Sequence, residues 1–314
     1  MTLVVAAGID AGQRFFDVGL APSGQTFRIR NAPEEIAGLT VRLRQAGVSR
    51  VVLEAAGSYA QPLVSALAQA GFAVGLVNPR RIKAFRDAEG RRAKTDRLDA
   101  GLIARFALVM PDTVRPLPSA EQSALKALST RRRQLTEMIA MEKTRLKQAL
   151  EPLVSDSHTA AIAALTAACR AVEAEIARRL DQDAGRAHER RLLLSIPGIG
   201  ERVAGVLLTE MPELGRRDRK AIASLAGLAP QVSQSGNAPP RAAIAGGRPC
   251  VRAALYMSAL VAVRHDPVMK HLYHRLRADG KPAKLALVAV ARRLLVTANA
   301  VLKAKKPYTP QSTP

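Results

Sequence analysis

The chain has 314 residues, 48% of them hydrophobic but only 3% aromatic, with no Trp. That length holds two modest domains with cores of Ala, Leu, Val and Ile, and the composition excludes a disordered polymer. A formal net charge of +22 points to a polyanionic partner, nucleic acid before membrane, because each phosphate neutralised releases counterions.

Residues 1–119 carry 16 Lys/Arg against 10 Asp/Glu, residues 120–190 carry 12 against 10, and residues 191–314 carry 20 against 6. The last stretch is therefore the main candidate for binding a polyanion. No run of about 18 uncharged apolar residues is present. Residues 285–302 come nearest and are interrupted by Arg292 and Arg293. The opening MTLVVAAGID has no basic leader region, so no secretory signal is expected. Cys169 and Cys250 fit no zinc spacing and suit free thiols in a reducing cytoplasm.

In chain order, the apolar run 3–9 predicts a buried strand, and 14–20 and 25–30 predict two more around a Ser23-Gly24 turn. Ile36, Leu39 and Leu43 share one face of a helix expected over 33–46 and closed by Gly47. A strand over 50–54, a helix over 59–69 and a strand over 72–77, stopped by Asn78-Pro79, complete an alternating α/β pattern with parallel strand pairs. From Arg80 the chain reads as basic and polar until a helix over 99–110, and Pro111, Pro116 and Pro118 mark a linker. Residues 119–190 read as two long helices, broken near Glu151-Pro152 and 155–157. Residues 191–314 read as mostly helical, with a Gly/Pro-rich loop over 229–249. The expected domains are thus 1–118, 119–190 and 191–314.

Asp10 ends the first strand in GIDAG and Glu54 ends a neighbouring one in VVLEAAG. Asp96 and Asp99 stand three apart at a helix start in KTDRLDA, a spacing that shares one helical face. Four hard oxygen donors suit Mg²⁺ or Mn²⁺, and paired ions of that kind clamp the oxygens of a phosphodiester. Each residue alone also has an ordinary reading, Asp96 as a helix cap and Asp10 as a turn residue. The four together favour the metal. The basic run holding Arg80, Arg81, Lys83, Arg91, Arg92 and Lys94 leads into that helix, as a nucleic-acid clamp or a solvated face.

LLLSIPGIGERVAGVLL, residues 192–208, places Pro197-Gly198-Ile199-Gly200 between two apolar stretches, as in a helix-hairpin-helix. Gly198 and Gly200 there would let backbone N–H groups approach a phosphate at a helix N-terminus; a plain helical corner is the alternative. In the loop 227–257, Ser233 and Ser235 lie among Arg241, Arg248 and Arg252. From the residues alone, either a serine hydroxyl meets a scissile phosphate held by arginines, or this is a flexible solvated loop. His265, His271 and His274 near Asp266 read as surface or phosphate-contacting histidines rather than a second metal site.

Taken together, GIDAG, LEAAGSYAQPL, VNPRRIKAF, AKTDRLDAGLIARFA, LSIPGIGERVAGVLLTEMPELG, SLAGLAPQVSQSG, GGRPCVRAALYMSAL and GKPAKLALVAVARRLL resemble the insertion-sequence one-ten family of bacterial transposases, relatives of the Piv and MooV DNA invertases. The pieces run in order over nearly the whole chain; residues 120–190 match in character alone. The resemblance implies an N-terminal α/β RuvC-like domain of RNase H type, a helical coiled-coil spacer serving dimerisation, and a mainly α transposase domain with the helix-hairpin-helix. It implies a metal set of Asp10, Glu54, Asp96 and Asp99 binding Mg²⁺ (or Mn²⁺), and a nucleophilic serine at Ser235. It also implies a structured noncoding guide (bridge) RNA pairing with double-stranded donor and target DNA. The assembly it implies is a tetramer, a dimer of dimers, working at the nucleoid in a bacterial cytoplasm. The leading expectation is an RNA-guided transposase that breaks and rejoins DNA through a covalent phosphoserine. The alternatives are an RNA-independent invertase or Holliday-junction nuclease, and a non-enzymatic binding protein, which would have no use for four convergent carboxylates.

Overall fold

A computed structural model of the chain describes residues 5–54, 58–90, 96–111, 115–233 and 241–310; of Ser58, Asp96, Arg97, Arg115, Pro116, Val232, Ser233, Arg241 and Ala242 it describes the backbone alone. The chain divides into two compact units, 1–119 and 120–314.

Unit 1 is built on a six-stranded mixed sheet. Its strands are β1 (Val5–Ala11), β2 (Phe15–Ala21), β3 (Thr26–Arg30), β4 (Val48–Glu54), β5 (Ala73–Val77) and the short β6 (Arg115–Pro116). Their order is β3-β2-β1-β4-β5-β6. β1, β2 and β3 form an antiparallel meander, and β1, β4 and β5 run parallel. The parallel links are made by α1 (Pro33–Gln45) and α2 (Gln61–Gln69); α3 (Pro79–Ala88) and α4 (Asp96–Val109) follow β5.

Period-two alternation, interrupted by one register shift at the start of the β1–β4 pair, splits the strand residues between two cores. Ile9, Phe16, Val18, Leu20, Val51 and Leu53 pack with Ile36, Leu39, Leu43, Leu63 and Leu67 of α1 and α2. Ala6, Val52 and Val77 pack on the opposite face with Ile82 of α3 and Leu102, Ile103 and Phe106 of α4. Gly8, Asp10, Asp17, Gly19 and Glu54 belong by alternation to this second face.

α4 comes unusually close to the sheet because two glycines admit it. A Cβ on Gly8 would lie 2.1 Å from the Ala104 nitrogen, and one on Gly19 2.6 Å from the Ala100 carbonyl carbon.

The stretch from Arg80, read in the sequence as basic and polar with no helix before 99, begins in α3. The Asn78 side chain accepts from the Arg80 N–H at 2.9 Å, and Pro79 occupies the first turn. This is a standard helix start, and the same Asn78-Pro79 step ends β5 at Val77 as expected from the sequence.

Unit 2 opens with two long helices packed side by side, α5 (Ala120–Leu146) and α6 (Pro152–Gln182). α6 runs unbroken through 155–157; the helical run breaks between Leu146 and Pro152 and again at Asp183, before α7. α7 (Ala184–Leu194), α8 (Glu201–Glu210), α9 (Arg219–Ala226), α10 (Pro249–His265), α11 (Pro267–Ala278) and α12 (Ala283–Ala304) follow. The loop expected over 229–249 contains a two-stranded hairpin, β7 (Pro230–Ser233) and β8 (Arg241–Ile244).

α12 is long and apolar enough by composition to cross a membrane. It is also the centre of the unit 2 core, where Val290, Ala291, Leu294, Leu295 and Ala298 meet residues of α7 to α11. Its buried amide, Asn299, is bonded at both ends: it accepts from the Gly215 N–H at 2.8 Å and donates to the Arg217 carbonyl at 3.0 Å.

Candidate functional sites

The carboxylate face of unit 1 follows from strand register. Ile9 pairs with Leu53 on the parallel neighbour, so Asp10 and Glu54 occupy adjacent positions one residue further on and on the same face. On the other side Asp10 pairs with Asp17 of β2, and Asp17 pairs with Arg28 of β3. Arg28, Asp17, Asp10 and Glu54 therefore form one row across four strands.

Asp96 and Asp99 lie in the first turn of α4, the helix that crosses this face. Asp99 is 7% exposed and sits one residue before Ala100, where α4 meets Gly19. Its Oδ1 is 3.4 Å from Nη1 of Arg86 on α3. The Nε of Arg86 is buried without a hydrogen-bond partner among the described residues.

The donor chemistry suits a hard divalent cation, since all four groups offer carboxylate oxygen. Among the described residues, no three His, Cys, Asp or Glu side chains are grouped closely enough to hold a metal ion. Asp96 is represented there by its backbone only. Arg80, Arg81 and Lys83 are exposed on the first turns of α3. Arg91, Arg92 and Lys94 lie outside the described residues.

The two glycines of the PGIG turn have different roles. Gly198 adopts φ +92° and a Cβ there would sit 2.7 Å from the Ser258 carbonyl oxygen of α10, so it is required for packing. Gly200 caps α8 with no side-chain hydrogen bond, and a Cβ there would meet nothing within 4 Å. The α8 N-terminus borders a cavity of about 450 Å³ whose charged lining is Arg132, Arg190, Arg202, Glu173 and Glu201.

The serine loop stands on a tight neck. Gly227 (φ +71°) and Gly247 (φ +61°) pack backbone to backbone; a Cβ on Gly247 would be 2.1 Å from the Gly227 nitrogen. Arg252 Nη1 donates to the carbonyls of Gly246 at 2.5 Å and Ala226 at 3.4 Å. Arg248 donates through both Nη atoms to Glu213 at 2.7 and 2.6 Å. The guanidiniums of Arg248 and Arg252, read from sequence as nucleic-acid contacts, thus brace the neck. Above it, Ser233 ends β7 opposite Arg241 of β8. Ser235 lies outside the described residues.

Gly247→Ala is expected to open the neck and lower the thermal midpoint of unit 2. Gly246→Ala, at φ +65° with nothing within 4 Å, should cost only the left-handed backbone penalty of roughly 1–2 kcal/mol. Equal midpoints for the two variants in thermal denaturation would contradict the packed neck.

The Cys250 thiol and the Tyr308 phenol are both shifted upward. Burial, reinforced by the charge of Glu210, pushes the Cys250 thiol up. Burial, reinforced by the Asp266 carboxylate, holds the Tyr308 phenol well above its ordinary range. Asp266 itself caps α11, accepting from the N–H groups of Val268 and Met269 at 2.8 and 3.2 Å.

Sequence reasoning passed over Asp17, Arg28, Arg86 and Glu213. Asp17 sits mid-strand with no motif, and the burial that makes it unusual (3% exposed) is a tertiary fact.

Two family models match the chain. A DEDD-type transposase model of IS110 covers residues 7–154, and the model described as "Transposase IS116/IS110/IS902 family" covers residues 190–274. The pilin gene-inverting protein of Moraxella bovis is 29% identical over 82% of this chain and 81% of its own length. The 42 kDa protein of insertion element IS900 from Mycobacterium paratuberculosis is 29% identical over 68% of this chain and 55% of its own. The 43.6 kDa protein of insertion element IS110 from Streptomyces coelicolor is 35% identical over 43% of this chain and 33% of its own. Among solved structures, T. thermophilus RuvC in complex with a Holliday junction substrate is 19% identical, covering 37% of this chain and all of that one, with a TM-score of 0.29.

Proposed function

Because the chain belongs to the IS110 family of transposases and is a DNA transposase/recombinase, we propose that it cuts and rejoins DNA through a covalent phosphoserine at Ser235, beside a divalent-metal site of Asp10, Glu54, Asp96 and Asp99. The observation that carries this reading is the carboxylate face. Asp10 and Glu54 are register neighbours on the side of the sheet that α4 crosses, and α4 begins with Asp96 and Asp99. The strand order, an antiparallel meander continued by two parallel strands, supports a RuvC-like, RNase H-type reading of residues 1–118.

The chemistry balances without a further reactant. The Ser235 oxygen attacks phosphorus, the P–O bond to one DNA hydroxyl breaks, and the serine proton is exchanged for one on the departing hydroxyl. The hydroxyl of a second DNA end then attacks the phosphoserine and releases Ser235. One phosphodiester replaces another. A bound Mg²⁺ or Mn²⁺ would neutralise charge on the non-bridging phosphate oxygens. The neck of Gly227, Gly247, Arg248 and Arg252 holds the base of the loop bearing the nucleophile.

The α8 N-terminus beside Gly200 is the proposed phosphate contact of the helix-hairpin-helix in the domain 191–314. Its uncapped N–H groups and the open space at Gly200 support it. The net charge of +22 supports binding of donor and target DNA together with a structured guide RNA. Leu150 and Leu153, 97% and 80% exposed between and at the start of the spacer helices, support self-association through residues 119–190 into a dimer of dimers.

A second reading is an invertase that needs no RNA, favoured by the likeness to pilin gene-inverting proteins over most of both chains. The test incubates the chain with Mg²⁺, labelled DNA and RNA transcribed from the sequence flanking its gene. Wild type is expected to give a denaturation-resistant protein–DNA adduct that Ser235→Ala does not give and Ser233→Ala does. An adduct from Ser235→Ala would sink the nucleophile assignment. Recombination at full rate after RNase treatment would replace the guided reading with the invertase.

A further inference from the structure

Asp17 has no place in the four-carboxylate set, yet it stands directly opposite Asp10 on β2, 3% exposed, on the face that α4 covers. Opposed residues of an antiparallel pair lie about 4.5–5.5 Å apart at Cα. A bare carboxylate there would repel Asp10 and offer the cation a competing oxygen. The structure answers that charge with Arg28. Its Nε donates to Oδ1 and Oδ2 of Asp17 at 3.1 and 3.2 Å, and its Nη2 to Oδ2 at 2.7 Å. The Arg28 guanidinium also lies 5.5 Å from the Phe15 ring centroid, which helps to fix it. A half-buried ion pair of this kind gains little stability over well-packed apolar residues, so packing alone does not explain its presence.

We infer that Asp17 and Arg28 are a positioning pair for the proposed metal centre: together they keep the position beside Asp10 at zero net charge, so that the cation is held by Asp10 and Glu54 and not drawn toward β2. The inference rests on the metal reading above. It makes a prediction of sign that a purely structural pair does not. Removing the negative member leaves a cation beside Asp10 and weakens metal binding. Removing the positive member leaves an anion there and strengthens binding, while pulling the ion off its productive position. Removing both restores neutrality.

The test measures Mn²⁺ binding to the full chain by calorimetry, alongside Mg²⁺-dependent strand cleavage. Asp17→Asn is expected to weaken Mn²⁺ binding about tenfold, and Arg28→Gln to tighten it by a similar factor while cleavage falls. The double variant Asp17→Asn/Arg28→Gln should bind within about twofold of wild type. If Arg28→Gln does not fold, Arg28→Lys, which keeps the charge, must match wild type in Mn²⁺ affinity where Asp17→Asn does not. Shifts of Asp17→Asn and Arg28→Gln in the same direction, or an unchanged affinity in Asp17→Asn, would overturn the inference. If Asp10→Asn binds Mn²⁺ as wild type does, the metal site itself is wrong, a result separate from any behaviour of the Asp17 variants.

Discussion

Asp10→Asn is expected to lower DNA strand cleavage by about a thousandfold while leaving unit 1 folded. The magnitude follows from the role proposed for the carboxylate. A metal that neutralises a phosphate in the transition state supplies several kcal/mol, and each ~1.4 kcal/mol is a factor of ten in rate. The fold should survive because the substitution is isosteric. Asp10 is only half buried, and the cores of unit 1 are built from its apolar neighbours Ile9 and Ala11 and from the helices. Glu54→Gln should behave alike, because Glu54 sits at the adjacent position on β4. Single-turnover cleavage with far-ultraviolet circular dichroism as the control measures both. Cleavage by Asp10→Asn within tenfold of wild type would remove Asp10 from the chemistry. Chelation of divalent ions should reproduce the loss in wild type and add nothing to the variant.

Gly8→Ala is expected to destabilise unit 1 by about 3 kcal/mol or more. The added carbon would lie 2.1 Å from the Ala104 nitrogen and 2.5 Å from the Ala100 carbonyl oxygen. Both are backbone atoms of α4, so no side chain can rotate away and the whole helix must lift. Because α4 carries Asp96 and Asp99 in its first turn, cleavage should fall with stability. Gly38→Ala is the opposite case. Gly38 lies within α1 and a Cβ there meets nothing within 4 Å. Alanine should stabilise that exposed helix position by roughly 0.5–1 kcal/mol. Denaturant unfolding of the two variants reads the contrast directly. Equal stabilities would mean that α4 does not rest on Gly8.

How far the site could be read from the chain differs residue by residue. Ile36, Leu39 and Leu43 announced the buried face of α1 through their spacing, and those three are its buried residues. Asp10 and Glu54 stood out because each ends an apolar run and is followed by small residues. α3 was missed although Asn78-Pro79 is a helix-start signal, since the basic residues after it gave weak apolar periodicity and only Ile82 is buried. The hairpin of β7 and β8 was missed because each strand is four residues long and surrounded by Gly and Pro. Arg248 and Arg252 looked like every other arginine of a basic loop. Their commitment to Glu213 and to the carbonyls of Ala226 and Gly246 depends on partners up to 35 residues away.

The sequence alone determined the polyanion-binding character, the α/β beginning and helical remainder, the family resemblance and the identity of the proposed site residues. Charge, hydrophobic period and short motifs are local properties that the chain writes openly. Only the tertiary structure decided which strand lies beside which, and hence that Asp10 stands between Glu54 and a buried Asp17. It also decided that Gly8 and Gly19 are the bed of α4, that Gly198 serves packing while Gly200 stays open, and that Arg28 answers Asp17. Each of these depends on register and close approach between segments distant in sequence, and a one-residue slip of a strand would turn its side chains to the opposite face.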